Sequence, residues 1–138
     1  MAVKLSKTIT LCQEGDRFAS NGTYKEALKS YISSWNSIPD EKLKDPLAKV
    51  ILIQIYASYE KLGQIEEGIR SLQRAKTALH GDTDSRINFL LGKYFLDTEH
   101  NQAEAYSYFK IAWDASEGRA FLKEDTNYTS FLLRYSPK

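Results

Sequence analysis

Apolar residues recur at spacings of three and four along most of this chain, the period of an α-helix that turns one face to a core. Leu28, Tyr31, Ile32 and Trp35 follow it, as do Ile69, Leu72, Ala75 and Leu79, and later Tyr106, Phe109 and Trp113. Val50-Ile-Leu-Ile-Gln-Ile-Tyr-Ala57 would pass for a buried strand by itself. It continues into Ser58-Tyr-Glu-Lys-Leu62 and meets Gly63, the order expected of a helix stopped by glycine. Helix-start signals recur too. Thr23-x-x-Glu26 and Asn101-x-x-Glu104 each set a capping side chain three residues ahead of a carboxylate. Asp45-Pro46 places an acid before a proline at a first helical position, and Asp82-Thr-Asp-Ser85 offers several caps. Asp125 precedes a last amphipathic stretch with Tyr128, Phe131 and Leu132. The pattern predicts six helices, over about 3–20, 24–37, 46–61, 65–79, 84–98 and 102–116, then one or two short C-terminal ones. Nothing in it suggests a sheet.

The helices come in pairs at a period of about 34 residues. The first pair carries Leu11, Gly15, Phe18, Gly22, Tyr24, Ala27, Tyr31, Ser34 and Pro39; the second carries Leu52, Ile55, Tyr59, Gly63, Ile65, Gly68, Leu72 and Ala75. The third has Leu91, Gly92, Phe95, Ala105, Phe109 and Ala112, with one extra residue in its turn. Small residues at these places let helices approach closely while large ones fill the space between. The second pair departs from the others, with Tyr56 in the usual small slot and Gly68 in place of alanine. A volume exchange between the two is expected.

This pattern resembles the tetratricopeptide repeat family over about residues 8–116. The resemblance implies an all-α solenoid of three helix pairs plus a C-terminal capping helix, as a single domain over 1–138. Its repeats fall at about 8–41, 46–82 and 84–118 and its cap at 119–138. The surplus between the first two repeats falls around Asp40-Glu-Lys-Leu-Lys-Asp-Pro46, expected to form a longer loop. A short solenoid must cover its open end, and Phe121, Tyr128, Phe131 and Leu132 suit that task.

In this family the first helix of each pair lines a concave face. The resemblance assigns to that face Gln13, Asp16 and Ser20, then Ile53, Gln54, Ala57, Glu60 and Lys61, then Arg86, Phe89, Leu90, Lys93 and Asp97. An apolar centre with charges of both signs suits a protein partner. Phe89, Arg86, Lys93, Gln54, Glu60 and Asp16 are the expected anchors. Members that clamp the C-terminal tails of the Hsp70 and Hsp90 chaperones need lysine, asparagine and arginine where this chain has Cys12, Asp16, Gln54, Arg86 and Leu90. Only Arg86 is basic and Asp16 would repel a carboxylate, which argues against such tails. The tail spacing Glu117-Gly-x-x-Phe121-x-x-Glu124-Asp125-x-x-Tyr128-x-x-Phe131-Leu132 resembles small bacterial three-repeat members taken to be immunity proteins of polymorphic toxins. Asp84-Ser85 and Lys93 depart from that pattern. The resemblance implies sequestration of a cognate toxin by occlusion; the alternative is a scaffold or co-chaperone, or a peptide-binding regulator, of a secretion or assembly system.

Composition narrows the field further. The chain has 138 residues, 42% of them hydrophobic and 27% charged, within the range of one globular domain. Nineteen basic residues against eighteen acidic ones give no electrostatic reason to expect a nucleic acid or an anionic membrane as partner. No secretory signal is readable, and a single cysteine fits a reducing compartment, so a cytoplasmic location is expected. Phosphate loops, nucleophile elbows and zinc-protease helices are missing from the sequence. Cys12 is expected in mid-helix and His80 and His100 at helix ends, a poor thiol–imidazole couple and a poor zinc set. Asp82-x-Asp84 reads as a helix cap sooner than a calcium loop, since Arg86 stands where a third oxygen ligand belongs. No enzyme activity, metal or cofactor is expected. Trp35 and Trp113, at equivalent places in their pairs, are expected to pack against neighbouring helices.

Overall fold

Seven α-helices form among the described residues, which are 2–39 and 41–135 of this computed structural model, with side chains from residue 7. They are α1 (Ala2–Ser20), α2 (Tyr24–Ser37), α3 (Ala48–Lys61), α4 (Ile65–Thr77), α5 (Ser85–Asp97), α6 (Gln102–Ser116) and α7 (Thr126–Arg134). Two 3-10 turns, Lys42–Lys44 and Arg119–Phe121, lie between them, and there is no strand among the described residues. The chain divides into two compact units, Met1–Leu79 and His80–Lys138.

The first unit holds two helical hairpins, α1 with α2 and α3 with α4, and α2 also packs on α3. Each hairpin turn closes on a glycine in the left-handed region, Gly22 at φ +79° and Gly63 at +77°, where a side chain would be strained. Within the first hairpin a Cβ on Gly15 would stand 2.6 Å from Tyr31 Cε1, so the ring of α2 occupies the space that glycine leaves on α1. The second hairpin reverses the arrangement. Tyr56 on α3 fills the space over Gly68 on α4, where a Cβ would meet its Cδ1 at 3.2 Å and its carbonyl oxygen at 3.1 Å. Ala27, Tyr31, Ile51, Leu52, Leu72 and Ala75 are, with Ala48, the most deeply buried hydrophobic residues of this unit's core. Buried hydroxyls are satisfied across it: Ser34 Oγ donates to Thr8 O at 2.7 Å and Ser71 Oγ to Leu52 O at 2.8 Å.

Three local expectations need correction. Thr23 precedes α2 but its side chain caps nothing; the hydroxyl donates backward to Phe18 O at 2.9 Å. The third helix begins at Ala48, not beside Pro46, because Asp45 Oδ1 accepts from Leu47 N at 2.8 Å and holds a turn first. The fourth ends at Thr77, leaving Leu79 exposed, with its N–H donating to Leu43 O at 3.0 Å. The long inter-repeat loop contains the Lys42–Lys44 turn; Asp40 lies outside the described residues. Lys42 Nζ ties this turn to the end of α2, donating to Trp35 O at 3.1 Å and to Ile38 O. Trp35 is buried, with the Arg74 guanidinium 5.0 Å from its ring centre, in line with a packing role.

The second unit has one hairpin, α5 with α6, closed by the Arg119–Phe121 turn and α7. Asp84 caps α5 by accepting from Ile87 N at 2.9 Å, Asn101 caps α6 by accepting from Glu104 N at 3.1 Å, and Asp125 caps α7 by accepting from Asn127 N at 2.9 Å. A Cβ on Gly92 would lie 2.6 Å from Phe109 Cδ1, the same glycine-to-ring fit as Gly15 with Tyr31. Around Phe109 gather Phe89, Phe121, Tyr128 and Phe131, and Trp113 meets Phe121 at 5.3 Å between ring centres. The C-terminal segment therefore supplies three of the rings in this aromatic cluster, Phe121, Tyr128 and Phe131. Ser136–Lys138, the end of the expected cap, lie outside the described residues.

Candidate protein-binding face

On α1, residues Ile9, Gln13, Asp16 and Ser20 fall at i, i+4, i+7 and i+11 and so share one stripe. On α3 the same spacing joins Val50, Gln54, Ala57 and Lys61. All four residues of the α1 stripe are exposed; on α3, Val50 and Lys61 are exposed and Gln54 and Ala57 are half-buried. Ile53 and Glu60, one apart from that stripe, are half-buried as well. A hydrogen bond from Gln54 Nε2 to Asp16 Oδ1 at 3.1 Å joins the two helices.

That bond sits on a support built from the core. Because Gly15 has no side chain, the Tyr31 ring slides under α1, and its hydroxyl emerges beside the next residue, donating to Asp16 Oδ1 at 2.6 Å. Burial, and then the bond to Asp16 and that residue's charge, push the Tyr31 hydroxyl well above its ordinary range, so it remains a donor. Cys12, one turn before Asp16, is half-buried, and burial followed by the Asp16 charge raises its thiol too. It is a poor nucleophile at neutral pH. Glu60 is held in a similar way, accepting from Tyr56 Oη at 2.9 Å. Ser20 Oγ donates to Asp16 O at 2.9 Å, within its own helix.

In the second unit the expected face is largely taken up by the protein itself. Phe89, an expected anchor, is fully enclosed, with Phe121 at 4.9 Å and Tyr128 at 5.6 Å between ring centres. Leu90 is buried as well. Neither offers surface to a partner. The physical reason is the C-terminal segment, which docks its aromatic rings on α5. The same segment engages the polar neighbours: Arg86 Nη1 pairs with Glu124 Oε2 at 3.4 Å, and Asp97 accepts from the Tyr128 hydroxyl. Burial, then the bond to Asp97 and its charge, hold the Tyr128 hydroxyl far above its ordinary range. Lys93 remains half-buried.

The tyrosine–carboxylate bonds were not foreseen, although one signal was present. The large aromatic slot of the first pair is filled by tyrosine, and a carboxylate follows the facing glycine. Open clefts flank the hairpin turns, about 610 Å³ beside Glu99–Gln102 and about 490 Å³ beside Tyr59–Glu67. Among the described residues no group of three potential ligands is placed to hold a metal ion, and no helix is long and apolar enough to cross a membrane.

No protein-family model matches the chain, and no curated protein matches it by sequence. By structure it is similar to the type III secretion chaperone SycD of Yersinia enterocolitica, solved in complex with a peptide of the translocator YopD. That likeness covers 90% of this chain and 88% of SycD at a TM-score of 0.69, with 18% sequence identity. The fold is thereby all-α and tetratricopeptide-like: three helix pairs followed by a capping helix.

Proposed function

We propose that the chain is a non-catalytic module that holds a segment of another protein against the α1 and α3 stripes. The observation that carries this reading is the fold-long likeness to a type III secretion chaperone solved in complex with a peptide of the translocator YopD. An exposed α1 stripe and a partly exposed α3 stripe, with an oriented acceptor where they meet, are consistent with it. An interface of about 1,600 Å² with a few well-supported anchors suffices for specific binding. Within this reading the chain escorts a partner of a secretion or assembly system and keeps it from premature contacts.

The immunity-protein reading is the second candidate, and the tail spacing favours it. Five of the motif residues also have folding work: Phe121, Tyr128 and Phe131 fill the aromatic core, Asp125 caps α7 and Glu124 pairs with Arg86. The motif thus accounts for the cap whatever the partner is. Co-expression with the product of the adjacent gene separates the two readings. An escorted client accumulates intact only when this chain is present; a toxin is neutralised at fixed stoichiometry. A neighbour that is neither stabilised nor neutralised, and does not co-purify, contradicts both.

A further inference from the structure

We propose that Asp16 selects the partner: its carboxylate receives a lysine or arginine side chain of the bound segment, whose flanking apolar residues lie on Ile9 and Val50. The inference rests on the protein-binding reading above. Ile9 and Val50 are 43% and 46% exposed, unusual for β-branched residues on helices whose other faces build the core. Each opens its stripe, and Asp16 and Gln54 stand farther along.

Charge decides the occupant. Tyr31 and Gln54 both donate to Oδ1 of Asp16, while no donor among the described residues is assigned to Oδ2 and no cation there forms an ion pair with this carboxylate. The group is exposed, yet two donors fix its direction, so little side-chain freedom remains to be lost when a cation arrives. A charge-assisted bond to a fixed carboxylate is among the stronger polar contacts a surface can offer. An acidic segment would meet the same charge as repulsion, and Lys61, the cation of the α3 stripe, lies two helical turns from Gln54.

The test is selection of short random peptides from a displayed library by the full chain, followed by titration of the winners. Wild type is expected to enrich lysine or arginine flanked by apolar residues, and replacing that arginine by citrulline weakens binding about tenfold or more. Asp16→Asn loses the basic preference and Asp16→Lys turns it toward acidic peptides, with helical content unchanged. Selected peptides with no basic preference, or a citrulline exchange without effect, overturn the role of Asp16 and leave the protein-binding reading standing. A selection that enriches nothing removes both. The citrulline arm uses the unaltered protein, so it stands even where an Asp16 variant fails to fold.

Discussion

Tyr56 and Gly68 exchange volume. The tyrosine of α3 occupies the slot that glycine fills in the other two hairpins, and the glycine of α4 leaves the matching hollow, with Tyr56 Cδ1 3.2 Å from where its Cβ would be. Gly68→Leu is expected to destabilise the fold by about 1–3 kcal/mol through overpacking. In the double variant Tyr56→Ala, Gly68→Ala the loss falls below the sum of the single changes. Urea unfolding of the four proteins checks this; additive losses would show that the two positions do not share one space.

Phe89 belongs to the core, so truncating it acts on stability. Phe89→Ala is expected to cost about 3–5 kcal/mol, read as a fall in the midpoint of thermal unfolding. If the variant keeps wild-type stability and loses only partner binding, the aromatic cluster under α7 has been misassigned.

Caps separate by geometry, not by residue type. Asp84→Ala and Asn101→Ala each remove a bond to a helix-start amide and are expected to cost about 1 kcal/mol. Thr23→Ala removes only an exposed hydroxyl bond to Phe18 O and costs less than either. Equal losses at all three positions, measured by chemical denaturation, would contradict the assignment.

Two tyrosines set the alkaline limit. Tyr31 and Tyr128 titrate above their ordinary value of 10.0 in the folded chain, burial being the first cause and the bonded aspartates the second. Above about pH 10 the unfolded chain releases these protons before the folded one does. The stability they contribute is therefore complete below that pH and falls as pH rises. Replacing both by phenylalanine flattens the decline in unfolding free energy between about pH 9 and pH 11. An unchanged slope would contradict the assignment.

Much of this architecture could be read before the structure, and particular residues explain where reading stopped. The periods of three and four located all six paired helices within three residues at each end, since Gly22 and Gly63 punctuate them and the apolar faces are uninterrupted. The Tyr56–Gly68 exchange was legible as well, because both departures fall within one repeat. Thr23 and Asp45 misled because local sequence does not fix which amide a short polar side chain meets. Phe89 misled for a tertiary reason. Its place on α5 matches a surface position, and the docking of Phe121 and Tyr128 beside Phe109 encloses it. Asn88 makes a similar point: a buried amide in a slot held elsewhere by Leu11 and Leu52, it donates to Asp82 O and Asp84 O and fixes the loop ahead of α5. The orientation of Asp16 depends on the tyrosine beneath it, signalled in the sequence only by Tyr31 in the aromatic slot and the carboxylate after Gly15.

The central claim, that the α1 and α3 stripes bind another protein, is tested most directly by site-specific photo-cross-linking in cells that encode the chain. A photoreactive side chain at Gln13, on the stripe, is expected to give one discrete adduct that disappears when Asp16→Lys is added. The same group at Lys29, exposed on α2, is expected to give none. An adduct at Lys29 with none at Gln13, or a Gln13 adduct indifferent to Asp16, would contradict the account.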